Sequence, residues 1–210
     1  MGEVLNPLPA RKMFRINTRL VWLVGLVPLA VLIYRAIRHS LTANPIEFVS
    51  QYTGWWTLLF MMISLSVTPM RQLFNAPGLF PLRRTFGLIT FTYAALHFLT
   101  WLVLEQFFDW SEMMHDLSDR PFIYVGFIAF FGLFSLALTS NKRTKIYMGP
   151  KRWKRLHQAV YFVAILGVIH FYILVKSSDV TEPLLFASVL FLLLGFRLFE
   201  YFRRQPANRA

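Results

Sequence analysis

The sequence contains no cysteine and few acidic residues, with 10 Asp and Glu against 22 Lys and Arg. The absence of cysteine excludes disulfides, thiolate ligands and thiol catalysis, so a bound metal must use histidine, methionine or oxygen ligands. Charged residues make up only 15% of the chain, whereas 56% of it is hydrophobic. The mean hydropathy of +0.50 lies outside the usual range of soluble domains. The composition therefore predicts a membrane protein.

The basic excess gives a formal net charge of +12, which in a soluble chain would indicate nucleic-acid binding. Here the basic residues lie in short clusters between apolar stretches, where they set the orientation of membrane helices. We therefore expect contact with membrane lipid and no nucleic-acid partner.

Six stretches are candidates for transmembrane helices, since a crossing takes about 20 mostly apolar residues. They lie at about 20–37, 51–68, 85–104, 121–139, 157–175 and 184–202. The predicted fold class is all-α, a polytopic bundle of six transmembrane helices at 20–202. A basic N-terminal segment at 1–19 precedes the bundle, and a tail at 203–210 follows it. The longest predicted outer loop, at about 105–120, is too short for a folded domain.

The loops also predict an orientation. Most Lys and Arg residues lie before the first predicted helix, after the second and fourth, and at the C-terminus, whereas acidic residues concentrate on the other side. Because Lys and Arg accumulate in short cytoplasmic connections, both termini are predicted to be cytoplasmic.

Three histidines lie in the predicted spans, where an ionisable residue is costly and by default indicates function. A rise of 1.5 Å per residue places His97 and His170 at similar depths in the outer half of the membrane. Two imidazoles from different helices can face each other there. His157 lies about 20 Å from His170 by the same rise, near the cytoplasmic end. The other two, His39 and His115, are expected at the surface.

A haem fits this arrangement, because two imidazoles from neighbouring helices can take both axial positions of a low-spin iron. Zinc or copper would usually need more ligands than the two available at one depth. Aromatic residues flank the candidate ligands: Phe91, Tyr93, Phe98, Trp101, Tyr161, Phe162, Phe171 and Tyr172. The alternative is that each histidine only hydrogen-bonds across a helix interface.

One point of geometry stays open for the fifth predicted helix. Thirteen residues at about 100° each put His157 and His170 some 140° apart around an ideal helix. Either this helix is distorted, with Gly167 as a candidate position, or the two histidines face different neighbours.

Six motifs spread over most of the chain carry a resemblance to a known family. They read "LSVTPMRQLF" (65–74), "PLRRTFGLITFTYAALHFLTW" (81–101), "RPFIYVGF" (120–127), "LALTS" (136–140), "KRWKRLHQAVYFVAILGVIHF" (151–171) and "LLLGFRL" (192–198). Together they resemble the MsrQ family, formerly YedZ, whose members are haem-binding membrane subunits of bacterial methionine sulfoxide reductase systems. That family belongs to the ferric reductase-like transmembrane superfamily.

The resemblance implies a b haem near the periplasm with His97 and His170 as ligands. Superfamily members with two stacked haems typically have two histidines on each of two helices, thirteen or fourteen positions apart. Here Arg83, followed by Arg84, stands fourteen residues before His97. We therefore expect one haem b, or two with His157 beside a non-histidine partner; His157 can equally serve another cofactor.

FMN is a second cofactor that the resemblance implies. Arg83 and Arg84 are then expected to hold a flavin phosphate or a haem propionate through charge-assisted hydrogen bonds. The alternative is that these arginines only anchor the helix on the cytoplasmic side. The basic run 142–155 can equally serve as the anion site, or can dock a donor or anionic lipid.

The resemblance implies electron transfer across the bacterial inner membrane to MsrP, a periplasmic molybdenum-cofactor enzyme that reduces methionine sulfoxide in oxidised proteins. The 210 residues contain no G-x-G-x-x-G fingerprint. Electrons are therefore expected from the quinone pool, from a cytoplasmic flavin reductase, or from both, with substrate chemistry on the partner. Two alternatives stay open: a stand-alone haem reductase of ferric iron or oxygen, and a non-haem transporter or scaffold.

Overall fold

The structure is a computed structural model that describes residues 17–175 and 179–204, with side chains up to residue 203. The regular elements within these ranges are all helical. This confirms the predicted all-α class. Residues 1–16 of the predicted N-terminal segment and 205–210 of the predicted tail lie outside the described residues, and the domain boundaries stay a prediction.

Nine α-helices lie in the described part of the chain. In chain order they are α1 Thr18–Ile37, α2 Pro45–Leu73, α3 Phe80–Leu99, α4 Trp110–Asp119, α5 Pro121–Leu138, α6 Lys142–Met148, α7 Pro150–Gln158, α8 Val160–Val175 and α9 Thr181–Arg204. A 3₁₀ turn at Pro77–Leu79 leads into α3, and a π-helical segment at Thr100–Glu105 extends it.

Five helical stretches among the described residues are long and apolar enough to cross a membrane. They are Thr18–Ile37, Pro77–Glu105, Pro121–Leu138, Pro150–Val175 and Thr181–Arg203. They coincide with five of the six predicted spans and agree with a multi-pass membrane bundle. The predicted span 51–68 lies inside α2, which is not among the five, so the six-span count and the cytoplasmic termini stay predictions.

Helix α2 differs from the five because it lies among other helices, packing mainly on α3 and also on α8 and α9. Its apolar residues Leu58, Met61 and Leu65 are buried in the main core cluster with Val163 and Ala164 of α8. Hydroxyl side chains interrupt its apolar surface and donate to its own backbone, as in the pair Thr57 Oγ1 to Thr53 O at 2.8 Å. A helix surrounded by protein needs less apolar surface than one facing lipid.

The chain between α3 and α5 is more ordered than the predicted loop at 105–120, because most of it forms α4. The Asp109 side chain caps this helix by accepting from the backbone N–H groups of Ser111 and Glu112 at 2.8 and 3.2 Å. Met113 then packs into a small cluster with Trp101 and Ile123. Capping of this type satisfies otherwise unpaired N–H groups at a helix start.

The fifth predicted span, 157–175, lies within the longer helical stretch Pro150–Val175. This stretch is not one continuous α-helix. A break at Ala159 separates α7 from α8, and the Ala159 N–H donates to the Leu156 carbonyl, three residues back. This tighter turn distorts the stretch between His157 and His170, at Ala159 instead of near Gly167. Before α7, Gly149 has a φ of +74°, a value that suits glycine, and Pro150 opens the next helix.

Helix α1 is attached to the bundle by a tyrosine that enters its hydrogen-bond ladder. The Tyr93 hydroxyl donates to the Gly25 carbonyl at 2.9 Å and accepts from the Leu29 N–H at 3.1 Å. In an undistorted helix these two backbone groups would bond each other. Pro28, inside α1, lacks an N–H and loosens the ladder at this point. Tyr93 is fully buried.

We expect Tyr93→Phe to lower the free energy of unfolding by about 1–3 kcal/mol, because it leaves two buried backbone groups without their bridge. Tyr34→Phe is the matched control, since Tyr34 also belongs to α1 but is 62% exposed. Thermal unfolding of the detergent-purified variants measures both effects. Equal stability of the two variants would contradict the bridging role.

Candidate metal centre

His97 of α3 and His170 of α8 lie next to each other in the structure. Their ring centroids are 6.1 Å apart, and the ring planes are nearly perpendicular, at 80°. With metal–nitrogen bonds of about 2.0 Å and a ring radius of about 1.1 Å, two imidazoles on opposite sides of one metal have centroids about 6 Å apart. The separation of this histidine pair therefore suits a single metal held between two axial ligands.

Each imidazole of the histidine pair is bound to a backbone carbonyl of a further helix. His97 Nδ1 lies 2.9 Å from the Ser50 carbonyl of α2, and His170 Nδ1 lies 2.7 Å from the Phe122 carbonyl of α5. A carbonyl oxygen can only accept, so Nδ1 carries the proton in both rings. Nε2 is then the nitrogen with a free lone pair, which is the form that metal-ligating histidines take.

The surroundings of the histidine pair fit a haem better than a bare ion. No group of three His, Cys, Asp or Glu side chains that could hold a metal ion occurs among the described residues. A macrocycle supplies four ligands itself and needs only two from the protein. The Phe122 ring lies 5.8 Å from the His170 ring, and the π-helical segment begins three residues after His97. Such segments are frequent at functional sites.

His157 lies away from the histidine pair, at the opposite end of α5. Its Nε2 is 3.1 Å from the Thr139 hydroxyl, just after the end of α5. Its ring stacks on Trp153 at a centroid distance of 4.0 Å. The Trp153 indole N–H in turn donates to the Thr139 carbonyl at 2.9 Å. His157 and His170 thus contact the same neighbouring helix at its two ends.

Three arginines lie around this second histidine, and together with His157 they are called the inner cluster. The Arg84 Nε donates to the Ser140 carbonyl at 2.8 Å. Ser140 directly follows Thr139, whose hydroxyl contacts His157. Arg83 lies within electrostatic range of both His157 and Arg197. The inner cluster is a concentration of basic groups, suited to an anionic ligand.

Arg197 joins three helices within the inner cluster. One terminal nitrogen donates to the Tyr161 hydroxyl of α8 at 2.6 Å and the other to the Leu65 carbonyl of α2 at 2.8 Å. The guanidinium also lies over the Tyr161 ring, 4.9 Å from its centroid. Its Nε is buried and has no hydrogen-bond partner within the described residues.

Sequence reasoning about the candidate site did not include the partners that hold these side chains. The acceptors at Ser50 and Phe122 are backbone groups, which leave no signal in side-chain identity. Arg197 did have a signal, because an arginine within a predicted membrane span is costly and marks a polar contact or a site.

The family of the chain follows from comparison with known proteins. The family model described as "Ferric reductase like transmembrane component" matches residues 53–168, which extend from α2 into α8 and cover more than half of the chain. The fold and the match together define a ferric reductase-like transmembrane protein. No solved structure gives a significant match.

Curated relatives identify the family within this class. A protein of Bordetella pertussis is 41% identical over 97% of this chain and 98% of its own length. A protein of Azospira oryzae is 44% identical over 87% of this chain and 78% of its own, and one of Rhodospirillum rubrum is 41% identical over 93% and 94%. Each is named protein-methionine-sulfoxide reductase heme-binding subunit MsrQ. The chain belongs to the MsrQ family.

We expect Arg197→Lys to lower the free energy of unfolding by about 1–3 kcal/mol, because an ammonium cannot keep the bonds to both α8 and α2. Arg203→Lys is the control on the same helix, since Arg203 is exposed and a lysine can keep its ion pair with the buried Glu200, now at 2.6 Å. Thermal unfolding in detergent measures the difference. A wild-type stability for Arg197→Lys would contradict the joining role.

Proposed function

We propose that this protein transfers electrons across the bacterial inner membrane through haem b. The proposed donor is the quinone pool, a cytoplasmic flavin reductase, or both. The proposed acceptor is MsrP, a periplasmic molybdoenzyme that reduces methionine sulfoxide in oxidised proteins. The observation that carries the proposal is the histidine pair with its 6.1 Å centroid separation. The names of the relatives, heme-binding subunits of methionine sulfoxide reductases, support it.

In this proposal His97 and His170 hold the haem through their Nε2 atoms, and the bound haem supplies a one-electron carrier. The two carbonyl bonds keep the rings in position and fix the tautomer. Phenylalanine rings fill the space between α3 and α5, with Phe98 stacked on Phe130 at 4.4 Å and Phe91 at 6.2 Å from Phe130. These rings form an apolar layer between α3, which carries His97, and α5.

The inner cluster is proposed to bind a second redox group, either FMN or a second haem beside His157. The positive charge of the inner cluster supports this proposal, because Arg83, Arg84 and Arg197 can neutralise a phosphate or a propionate. The exposed position of Arg84 and the half-buried position of Arg83 allow a ligand to reach both from the cytoplasmic side.

We expect the purified wild-type protein to show a Soret band and sharp reduced α and β bands, and His97→Ala and His170→Ala each to lose this spectrum. His115→Ala is the control, because His115 is exposed and pairs with Asp119, at 3.4 Å, away from the histidine pair. Visible spectra of the oxidised and dithionite-reduced proteins measure the effect, and the spectrum of His157→Ala tests a second haem.

A colourless wild-type protein, expressed with ample haem, would contradict the proposal and favour a transporter or scaffold. The acceptor is tested separately by oxidation of a quinol in proteoliposomes. We expect this oxidation to require MsrP, whereas equal rates with ferric iron or oxygen alone would indicate a stand-alone reductase.

We expect Arg83→Gln and Arg84→Gln to weaken FMN binding by about 10–100-fold each, since one charge-assisted hydrogen bond contributes about 1.5–3 kcal/mol. Arg38→Gln is the control, because Arg38 is an exposed arginine directly after α1 and belongs to neither candidate anion site. Flavin fluorescence after equilibrium dialysis measures the affinity. Unchanged FMN binding in both variants would place the flavin elsewhere.

A further inference from the structure

Both imidazoles of the histidine pair lie against a glycine of the neighbouring helix. A Cβ atom at Gly54 of α2 would lie 3.2 Å from Cε1 and 3.3 Å from Nδ1 of His97. A Cβ atom at Gly126 of α5 would lie 2.9 Å from Cε1 and 3.0 Å from Nδ1 of His170. These distances are shorter than ordinary contacts, so an added methyl group would displace the rings.

The two glycines occupy the same position relative to the carbonyl that each histidine binds. His97 binds the carbonyl of Ser50, four residues before Gly54, and His170 binds the carbonyl of Phe122, four residues before Gly126. In an α-helix the Cα–Cβ bond tilts toward the N-terminus, so a side chain covers the turn that precedes it. A side chain at either glycine would therefore stand over the carbonyl to which the imidazole donates.

Two other helix glycines, Gly132 and Gly195, do not have an imidazole at the Cβ position. Among the described residues, none comes within 4 Å of the Cβ position of Gly195, and that of Gly132 meets Val163 alone, at 2.5 Å. Glycine inside a helix costs roughly 0.8–1.0 kcal/mol relative to alanine, so its use at the half-buried positions 54 and 126 needs a local reason. At Gly54 and Gly126 the nearest neighbour is an imidazole.

We propose that Gly54 and Gly126 are positioning residues, each of which leaves a helix carbonyl open so that His97 or His170 can donate its Nδ1 proton to it. The two glycines thereby set the ring orientation and the Nδ1–H tautomer of both axial ligands. This inference rests on the proposed haem function for its consequence, although the hydrogen bonds belong to the protein alone.

The proposal has an electronic consequence for the bound haem. A histidine that donates its second N–H to an acceptor is a more basic ligand, and such outer partners typically change metal affinity by about 10–100-fold when they are lost. A more basic pair of ligands also stabilises the ferric state. The acceptors are backbone carbonyls, so substitution of the covering glycine is the direct way to disturb them.

The test compares four variants of the full chain in its haem-loaded form. Gly54→Ala and Gly126→Ala disturb the two rings, Gly195→Ala adds a methyl group in open space, and Gly132→Ala creates a clash without touching an imidazole. The measurements are haem affinity by titration with haemin, the electron paramagnetic resonance signal of the ferric state, and the midpoint potential.

We expect Gly54→Ala and Gly126→Ala to weaken haem binding by about 10–100-fold, to change the anisotropy of the ferric signal, and to raise the midpoint potential. Gly195→Ala should match the wild type, and Gly132→Ala should lower only the thermal stability. Wild-type signals and potentials in both Gly54→Ala and Gly126→Ala would overturn the proposal, as would equal changes in Gly132→Ala. If Gly126→Ala does not fold, Gly54→Ala carries the test, because its closest contact is longer.

A second measurement separates this inference from the proposed function. Nitrogen NMR of the haem-free full chain, labelled at histidine, reports the tautomer of each ring. We expect His97 and His170 as Nδ1–H forms in the wild type, with His97 alone changed by Gly54→Ala. This result without any haem uptake would contradict the proposed function but support the positioning role. Haem uptake without a tautomer change in Gly54→Ala would support the proposed function but contradict the positioning role.

Discussion

The rest of the candidate site depends on one interaction, the hydrogen bond from an imidazole Nδ1 to a helix carbonyl. A polar group in the apolar interior of a membrane protein is costly unless it is paired. His97 and His170 solve this by donating to Ser50 and Phe122. Because the acceptor is a carbonyl, the same bond that satisfies the ring also decides which nitrogen stays free. Burial, orientation and tautomer therefore follow from one contact on each side.

The same kind of contact holds the bundle together elsewhere. Side chains of one helix donate to backbone carbonyls of another: Tyr93 to Gly25, Ser64 to Arg83, and Arg197 to Leu65. Without a hydrophobic driving force between helices in lipid, such polar bonds and close packing decide which helices associate. Apolar packing fills the space between these bonds, and the bonds determine the register in which the helices meet.

The sequence was sufficient for five of the six predicted spans and for the proximity of two histidines, because hydropathy and a fixed helical rise determine depth. His97 and His170 are close in space as that counting predicted. It was not sufficient for features that depend on the backbone. The accepting carbonyls have no side-chain signature, the break at Ala159 arises from one tightened turn, and α4 forms because Asp109 caps a segment that composition alone describes as a polar loop.

The two ends of the bundle differ in the charge of the groups around their histidines. At the histidine pair both Nδ1 hydrogen-bond acceptors are neutral backbone carbonyls, of Ser50 and Phe122. At the inner cluster Arg83 lies within electrostatic range of both His157 and Arg197, and the two guanidinium groups repel each other. The Arg197 Nε is buried without a partner within the described residues, which leaves a donor unsatisfied. The anionic group proposed for this end would neutralise the arginines and accept a hydrogen bond. The proposed function therefore assigns chemically distinct ligands to the two ends of the bundle, an anionic group to the inner cluster and a haem to the histidine pair.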